Sequence, residues 1–462
     1  MNLAELLAAR SSEGAAFLAA RDDRVLTYAD LDASARAWSV EGVGTTTVAL
    51  AVSDPLTFAA AFLGLVAAGV TVAPLDPRLD DEQIRADVAD VEAGALVSDR
   101  LVDAGVPVID PRPAATTGRS ASVEPGRVLL RSSGTTGPRK KIVLSEAQLL
   151  HTAGAIARHH GLGPGERGLN PLPLFHVNAE VVGLLATVVS GAQLVLDDRF
   201  HRDLWAVAAR HEVTWVNAVP AVLAILLSCG RAPTTVRFVR SASAPLPVPV
   251  LERFEAACGV PVVETYGMTE AASQICANPV DGPRKPGSVG LPVEIDLRIL
   301  GSDGNVCECD EVGQVHIRGA GVVSGDAWLA TGDVGHRDVD GYVFLSGRLD
   351  DVINRGGEKV FPRDVEHVLL CDERVEDAVV VGAPDDVLGA VPVAFVIAVA
   401  GTIVDDLVAD LHDRCARDLA RFRRPVRVDV VEALPHGPTG KVSRGAVRAA
   451  AEGLRAAALA SR

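Results

Sequence analysis

The stretch TTVALAVSDPLTFAAAFLGLVAAGVTV (Thr46–Val72) contains the pattern that decides the fold. A short apolar run is followed by a helix-length segment that begins at Pro55, and a second apolar run follows Gly69. Proline is favoured in the first turn of a helix, and short apolar runs bounded by turn residues are typical of buried strands. The stretch therefore predicts a strand, a helix and a second strand.

The same alternation continues on both sides of this stretch. Upstream, RVLTYAD (Arg24–Asp30) predicts a short strand that ends at Thr27, where Thr27 and Asp30 are suited to cap the following helix. Downstream, Ile84 and Val88 have the spacing of one helical face. Repeated alternation of strands and helices predicts an α/β fold with a parallel sheet.

The segment Pro55–Leu75 carries no charged residue and is long enough to span a membrane. Because Gly64, Gly69 and Pro74 divide it, we interpret it as buried core without a membrane span. No signal peptide is predicted, since Glu5 interrupts the first apolar stretch. These features predict a cytoplasmic protein.

The composition excludes several classes of protein. Hydrophobic residues make up 48% and charged residues 23% of 462 residues, as in ordinary globular proteins. The 44 basic and 60 acidic residues give a net charge of -16, which argues against nucleic acid as a partner. Seven scattered cysteines without a C-x-x-C pair predict reduced thiols and no structural zinc site.

The pattern changes near Leu349. The runs DAVVVGAP and VPVAFVIAV predict strands, a helix capped by Thr402 should follow, and VRVDVVEAL predicts a further strand. This segment has the size of a small α+β domain. The sequence therefore predicts two domains, residues 1–348 and 349–462.

The loop RSSGTTGPRKK (Arg131–Lys141) combines hydroxyl groups, two glycines and several cations directly after an apolar strand. Backbone N–H groups, hydroxyls and ammonium groups together can hold a polyphosphate. The spacing of Gly134 and Gly137 does not match a Walker loop. Taken alone, the segment is also compatible with a flexible polar turn.

With four further motifs, this loop resembles the ordered signatures of the adenylate-forming acyl-CoA synthetases. These motifs are ETYGMTE (Glu264–Glu270), TGD (Thr331–Asp333), GRLDDVINRGGEKVFP (Gly347–Pro362) and PTGK (Pro438–Lys441). The resemblance implies an α/β fold in which a large N-terminal body of several subdomains, with mixed and parallel sheets, precedes a small mobile α+β lid. It also implies a hinge near Asp350.

The resemblance implies an acid–thiol ligase that uses ATP and Mg²⁺ to convert a carboxylic acid into acyl-AMP and then transfers the acyl group to coenzyme A. Its partners would be a small carboxylic acid, or the acyl-adenylate, and CoA. Amino-acid-activating relatives carry Asp after the phenylalanine of the segment PLPLFHVN, whereas here Phe175 is followed by His176. This difference favours an acid without an amino group.

The resemblance also implies roles for individual residues. The implied catalytic residues are Lys140, Thr269, Glu270 and Lys441, with Glu270 as the Mg²⁺ ligand. The implied nucleotide- and CoA-binding residues are Ser132, Ser133, Gly134, Thr135, Thr136, Gly137, Ser243, Ala244, Pro245, Glu264, Thr265, Tyr266, Gly267, Met268, Asp333, Arg348, Gly356 and Gly357. Tyr266 would stack on adenine, and Asp333 would accept the ribose hydroxyls. The implied acid pocket consists of His176, Asn178, Trp215, Asn217, Ala218 and Val219.

Two departures from the family pattern lie close to the implied ATP site. Lys141 replaces a glycine of the phosphate loop, and the segment between Gly325 and Trp328 is short. Two alternatives therefore remain open. One is an enzyme that performs only the thioester-forming half-reaction on a supplied acyl-adenylate, and the other is a non-catalytic protein that binds adenylates or acyl-CoA.

Overall fold

The computed structural model describes residues 1–40, 47–112, 124–131, 140–435 and 442–460. Within these ranges the helices are α1 (Leu3–Arg10), α2 (Tyr28–Val40), α3 (Pro55–Ala67), α4 (Asp81–Asp90), α5 (Glu146–His160), α6 (Ala186–Ser190), α7 (Leu204–Arg210), α8 (Pro220–Leu226), α9 (Val248–Cys258), α10 (Pro362–Leu370), α11 (Val404–Asp418) and α12 (Arg444–Ala460). A π-helical segment, Asn178–Leu185, precedes α6. Short 3-10 helices lie at Thr269–Ala271, Leu349–Asp351 and Arg421–Arg423.

The strands of the body are β1 (Ala15–Ala19), β2 (Val25–Thr27), β3 (Thr47–Ala51), β4 (Thr71–Pro74), β5 (Ala95–Ser98), β6 (Val108–Ile109), β7 (Arg127–Arg131), β8 (Lys141–Ser145), β9 (Arg167–Asn170), β10 (Gln193–Leu196), β11 (Trp215–Ala218), β12 (Phe238–Ser241), β13 (Val262–Tyr266), β14 (Cys276–Ala277), β15 (Leu291–Pro292), β16 (Asp296–Leu300), β17 (Gly313–Arg318), β18 (Leu329–Arg337) and β19 (Val343–Arg348). The C-terminal strands are β20 (Ile353–Arg355), β21 (Glu358–Val360), β22 (Val375–Asp385), β23 (Gly389–Ala398) and β24 (Arg427–Val430).

The stretch that decides the fold forms β3, α3 and β4, as the sequence predicts. The Asp54 side chain accepts the Thr57 N–H at 2.9 Å and so caps α3, while Pro55 occupies its first turn. Strand β3 pairs in parallel with β4 and β5. The predicted cap of α2 is also present, because the Thr27 N–H donates to Asp30 Oδ2 at 2.9 Å.

Three sheets build the N-terminal body. A six-stranded sheet has the order β6-β5-β3-β4-β7-β8, and a nine-stranded sheet has the order β15-β14-β13-β12-β11-β9-β10-β1-β2. Strands β9 to β13 pair in parallel in the nine-stranded sheet. The antiparallel strands β16 to β19 form the third sheet. The body thus contains both parallel and mixed sheets, as expected.

The C-terminal region forms its own five-stranded sheet, in which β24 pairs with β23 beside the order β21-β20-β23-β22. Helices α10 and α11 pack on one face of this sheet and α12 packs on the other. The predicted cap of α11 by Thr402 is wrong. The helix begins after Ile403, and the Thr402 hydroxyl donates instead to the Val399 carbonyl at 2.7 Å, within the preceding turn.

The predicted α/β architecture with a large body and a small C-terminal α+β domain is confirmed. The third sheet ends at Arg348 and the C-terminal sheet begins at Ile353, with the short Leu349–Asp351 helix between them. The exact domain limits, 1–348 and 349–462, stay a prediction. In the described part of the chain, no helix is long and apolar enough to cross a membrane.

One acidic side chain is enclosed in the core of the body without compensation. Glu180 lies in the π-helical segment and is 0% exposed. Neither of its carboxyl oxygens has a hydrogen-bond partner among the described residues. Burial raises the pKa of Glu180 well above its ordinary value, so the carboxyl group is neutral over a wider pH range in the folded protein than in the unfolded chain.

We expect Glu180→Leu to raise the free energy of unfolding by about 1–3 kcal/mol, because leucine removes a buried polar group that lacks partners. The folded-state pKa exceeds the unfolded one, so the wild-type protein loses stability as the pH rises above the ordinary glutamate pKa. The gain should therefore be larger at pH 8 than at pH 6, which urea unfolding at both pH values would measure. A gain that does not change with pH would contradict this explanation.

Glu146→Leu is the matched control for this experiment. Glu146 is also buried, but its carboxylate accepts the Leu3 N–H. Removing it leaves that buried donor unpaired, so this variant should be less stable than the wild type.

Candidate active site

The polar centre of the body lies where adjacent parallel strands end. Asn217 on β11 pairs in register with Arg240 on β12, and Asn170 ends the neighbouring strand β9. Carboxyl ends of parallel strands meet at one edge of a sheet, which is the usual position of ligand sites in α/β proteins. The arrangement brings side chains from distant segments into one buried cluster.

This cluster consists of Asn170, Asn178, Asn217, Arg240 and Gln274, all buried. Arg240 Nη1 donates to Asn178 Oδ1 at 3.0 Å and to Asn217 Oδ1 at 3.2 Å. Arg240 Nη2 donates to Gln274 Oε1 at 3.4 Å. Asn217 Nδ2 in turn donates to Asn170 Oδ1 at 2.9 Å. The guanidinium group is therefore surrounded by neutral amide oxygens.

Arg240 carries a charge that its surroundings do not neutralise. The residue is 1% exposed, and in the described part of the chain no carboxylate forms an ion pair with it. Burial lowers the pKa of Arg240 to about 9, because the cation loses its hydration without gaining an anion. Its Nε also has no partner among the described residues. An anionic ligand group would supply what this site lacks.

Predicted nucleotide-binding residues come together beside this cluster. The Tyr266 hydroxyl donates to the Asp333 carboxylate, and Arg348 Nη1 lies 3.5 Å from Asp333 Oδ1. Burial raises the pKa of Tyr266 well above its ordinary value, so the hydroxyl remains a donor. The aromatic ring, the carboxylate and the guanidinium are the groups expected to contact adenine, ribose and phosphate.

The segment Ser243 to Pro245 follows β12 and is exposed. Asn178 Nδ2 donates to Ser243 Oγ at 3.3 Å, which links this exposed strand end to the buried cluster. Thr265 Oγ1 donates to the Ser241 carbonyl at 3.1 Å. The predicted nucleotide and acid sites are therefore adjacent.

The ETYGMTE segment is held by a close backbone crossing. A Cβ at Gly267 would lie 1.4 Å from the Ser273 carbonyl oxygen, so only glycine fits there. Thr269 and Glu270 lie in the following 3-10 helix and are half-buried, as is Met268. The Glu270 carboxylate is chemically suited to hold Mg²⁺, which prefers oxygen ligands.

Glu264 is the other acidic residue of this segment, and burial raises its pKa to about 7. It accepts the Leu246 N–H at 3.4 Å and lies 3.9 Å from Arg363 Nη2 of the C-terminal domain. Arg363 also donates to the Leu345 carbonyl of the body at 3.0 Å. The two domains thus contact each other next to the predicted nucleotide site.

The other predicted acid-pocket residues are divided between the cluster and the core. Trp215 is stacked on Phe238 with ring centroids 6.1 Å apart, and its ring fills the space that a side chain at Gly168 would need. Ala218 is buried at the end of β11, and Val219 is half-buried after it. His176 is half-buried, with its ring 4.5 Å from that of Phe175.

Several predicted residues are not brought to this site. Gly356 and Gly357 form the exposed turn between β20 and β21, and Asp350 is exposed in the Leu349–Asp351 helix. Lys140 is exposed before β8, and Lys141 Nζ is directed to Glu92 Oε1 at 3.0 Å. The residues Ser132, Ser133, Gly134, Thr135, Thr136, Gly137 and Lys441 lie outside the described residues. The roles of all these residues stay predictions.

Two buried residues of the cluster, Arg240 and Gln274, were not predicted from the sequence. A detectable signal for Arg240 was present, because FVRS places an arginine inside an otherwise apolar strand just before the small residues at Ser243. Lysine and arginine are almost never fully buried unless they are paired. Gln274 has no comparable signal in the sequence.

Comparison with known proteins agrees with this arrangement. Residues 7–325 match the family model of the AMP-binding enzymes, and residues 364–441 match the AMP-binding enzyme C-terminal domain. The chain is 35% identical to the sulfoacetate–CoA ligase of Cupriavidus necator, with 96% of each chain covered. It is 33% identical to an oxalate–CoA ligase of Arabidopsis thaliana, with 86% of this chain and 87% of that protein covered.

A solved structure has the same fold. The o-succinylbenzoate CoA synthetase of Bacillus subtilis, in complex with its acyl-adenylate intermediate, superposes with a TM-score of 0.84 at 28% identity. The match covers 97% of this chain and 98% of that one. Another structure of that synthetase contains ATP and a magnesium ion.

The fold and the site define an adenylate-forming enzyme of the acyl-CoA synthetase class. The chain belongs to the AMP-binding enzyme family. The predicted acid–thiol ligase, which forms acyl-AMP from a carboxylic acid and then the CoA thioester, is confirmed, as is its use of ATP, Mg²⁺ and CoA.

Proposed function

We propose that this acyl-CoA ligase acts on a short carboxylic acid that carries a second anionic group. The observation that carries the proposal is the environment of Arg240, a buried cation whose side-chain hydrogen bonds within the described residues all go to neutral amide oxygens. A buried charge without a counter-charge is costly, and a ligand anion would offset that cost. The relatives named for sulfoacetate and oxalate support this proposal, because both acids carry two anionic groups.

The side chains of Asn178 and Asn217 determine which edge of the Arg240 guanidinium is left for an anionic ligand group. Asn178 and Asn217 hold both hydrogens of Arg240 Nη1, so that side of the guanidinium is closed. Among the described residues, its Nε has no hydrogen-bond partner and its Nη2 donates to Gln274 Oε1. Nε–H and Nη2–H point in parallel from one edge of a guanidinium group, which suits two oxygens of one anionic group. The second anionic group would bind along this edge.

In this proposal the chain positions the two ends of the acid differently. Arg240 holds the second anionic group in the buried cluster, and the carboxylate that reacts faces Ser243 and the nucleotide side. Tyr266 and Asp333 hold adenine and ribose, while Glu270 holds Mg²⁺, which neutralises phosphate charge when bound. Catalysis then depends on positioning and charge neutralisation at the α-phosphate. After adenylation, CoA displaces AMP from the acyl group.

The acid class is tested with the wild-type enzyme and matched acids. Sulfoacetate, malonate and oxalate are compared with acetate and propionate, and pyrophosphate release and CoA thioester formation are both measured. We expect kcat/KM to be at least about tenfold higher for the acids with two anionic groups, as the loss of a charged hydrogen bond implies. If kcat/KM for acetate and propionate equals that for the acids with two anionic groups, the proposal is contradicted.

The same assays separate this ligase from the two alternatives that the sequence left open, an enzyme that only forms thioesters and a non-catalytic binding protein. An enzyme limited to the second half-reaction would form CoA thioesters from supplied acyl-adenylates but release no pyrophosphate. A binding protein would do neither. The first alternative was raised by Lys141, which replaces a glycine of the phosphate loop and whose Nζ lies 3.0 Å from Glu92 Oε1.

We also propose that the protein is located in the cytoplasm, as the sequence predicts. ATP and CoA are substrates supplied inside cells. The seven cysteines are all unpaired, which agrees with a reducing environment.

A further inference from the structure

The C-terminal domain contacts the body through the first turn of α10. Arg363 lies in this turn, and its Nη1 donates to the Leu345 carbonyl of β19 at 3.0 Å. Its Nη2 lies 3.9 Å from Oε1 of Glu264 on β13. Strands β13 and β19 belong to two different sheets of the body. One side chain of the C-terminal domain therefore contacts both sheets.

Glu264 depends on this contact for the balance of its charge. It is 4% exposed, its Oε1 accepts the Leu246 N–H at 3.4 Å, and its Oε2 has no hydrogen-bond partner within the described ranges. Burial raises the pKa of Glu264 to about 7, while the charge of Arg363 and the Leu246 N–H act in the opposite direction. Arg240 lies on the neighbouring strand β12, but its side chain donates to amide oxygens of the buried cluster. In the part of the chain that the structure describes, Arg363 thus forms the one ion pair of Glu264.

Asp364, the next residue of α10, has a different main partner. Its Oδ2 lies 3.1 Å from Arg423 Nη1. Burial raises the pKa of Asp364, and four basic side chains lower it, in decreasing order Arg423, Arg363, His367 and His336. The charge of Asp364 is therefore balanced mainly by Arg423, and Arg363 remains directed to the body.

We propose that Arg363 is a positioning residue that couples the orientation of the C-terminal domain to the charge of Glu264. While Glu264 is ionised, its attraction for Arg363 holds the domain in the orientation of this structure. When the domain turns away, the buried carboxylate loses its cation and takes up a proton from solvent, because a buried charge without a partner is unfavourable. The implied CoA-binding turn of Gly356 and Gly357 is exposed in this orientation and does not pack on the body. The contact should therefore favour adenylation over transfer to CoA.

The strength of this coupling should depend on pH. In the orientation of this structure the pKa of Glu264 is about 7, and the charge of Arg363 lowers it. In an orientation without Arg363 the pKa is higher, so the contact stabilises the present orientation where Glu264 is ionised. This stabilisation is lost as the pH falls through about 7.

Arg363→Met tests the contact, because methionine keeps much of the arginine stem and removes the charge. Single-turnover adenylation, and thioester formation from the supplied acyl-adenylate, are measured with the acid that the wild type uses best. At pH 9 we expect the ratio of the adenylation rate to the thioester rate to be at least about fivefold below that of the wild type, a coupling of ordinary size. At pH 6 the difference should be smaller, because Glu264 is then largely neutral. Titration of the CoA thiol affects both proteins equally and cancels in this comparison.

Glu264→Gln keeps the shape of the side chain and provides the same test if the methionine variant does not fold. In the glutamine background, Arg363→Met should lower the ratio by less than it does in the wild type. Arg374→Met is the matched control, because Arg374 pairs at 2.8 Å with Asp372 and at 2.8 Å with Asp410, both in its own domain. Its ratio should equal that of the wild type at both pH values.

An unchanged ratio in Arg363→Met at pH 9, or a change of equal size at pH 6 and pH 9, would overturn the inference. Equal losses in both half-reactions would do the same, because they would indicate that Arg363 only supports the fold. Each of these results would leave the proposed acid class untouched, since the ratio is measured with a single acid.

Discussion

Arg240→Met is expected to lower kcat/KM for acids with two anionic groups by about 10²- to 10³-fold, the effect typical of removing one partner of a buried charge pair. Methionine keeps much of the volume of the arginine stem but offers no donor to the second anionic group. Coupled pyrophosphate release with malonate and sulfoacetate would measure the loss. Use of acetate should not fall in parallel, because acetate has no group for Arg240 to bind.

Arg237→Met is the matched control for this prediction. Arg237 lies three residues earlier in the chain, pairs with Glu166 at 2.8 Å and is 38% exposed, whereas Arg240 is buried and has no such carboxylate partner among the described residues. Its substitution should leave the preference between acids unchanged. AMP binding and thermal unfolding of Arg240→Met would show that the site is still folded. A parallel loss with acetate would mean that Arg240 supports the structure and does not select the acid.

Lys441→Ala is expected to suppress adenylation far more than thioester formation from a supplied acyl-adenylate. The PTGK motif implies that Lys441 bridges the carboxylate and the α-phosphate in the first half-reaction. Removing one preorganised charge of this kind typically costs on the order of 10² to 10³ in rate. Single-turnover adenylation and thioester formation should be measured on the same preparation.

Arg417→Ala provides the comparison, since Arg417 is an exposed cation on α11 that lies outside the five motifs. It should adenylate at the wild-type rate. Equal losses in both half-reactions of Lys441→Ala would refute the assigned role. The same measurement tests the alternative of an enzyme limited to thioester formation. The wild type of such an enzyme would show no adenylation, so Lys441→Ala could not lower it.

The sequence predicted local structure well where neighbouring residues decide it. The strand, helix and strand around Pro55 and the helix cap formed by Thr27 and Asp30 depend on residues close together in the chain. The cap expected from Thr402 failed because the position of the helix start was predicted one residue too early. The helix begins after Ile403, so the Thr402 hydroxyl stands before the cap position and donates to the Val399 carbonyl of the preceding turn.

The motifs also indicated which residues would meet at the nucleotide side. Tyr266 and Asp333 are distant in sequence, yet their side chains are hydrogen bonded. Their roles toward the nucleotide stay predictions. Asn178, Asn217 and Ser243 likewise belong to one connected network. In both cases the resemblance to a family supplied long-range information that composition and periodicity do not contain.

By itself, then, the sequence determined the succession of elements, the α/β class and the set of motif residues, because hydrophobic spacing and turn residues act over short distances. Only the tertiary structure decided the character of the acid pocket. Parallel pairing of β11 with β12 placed Asn217 beside Arg240, and the crossing at Gly267 brought Gln274 to the same guanidinium. Burial then removed the water that would have solvated the charge of Arg240 without supplying an anion in its place. Burial of this kind depends on residues distant in sequence, so no local pattern encodes it.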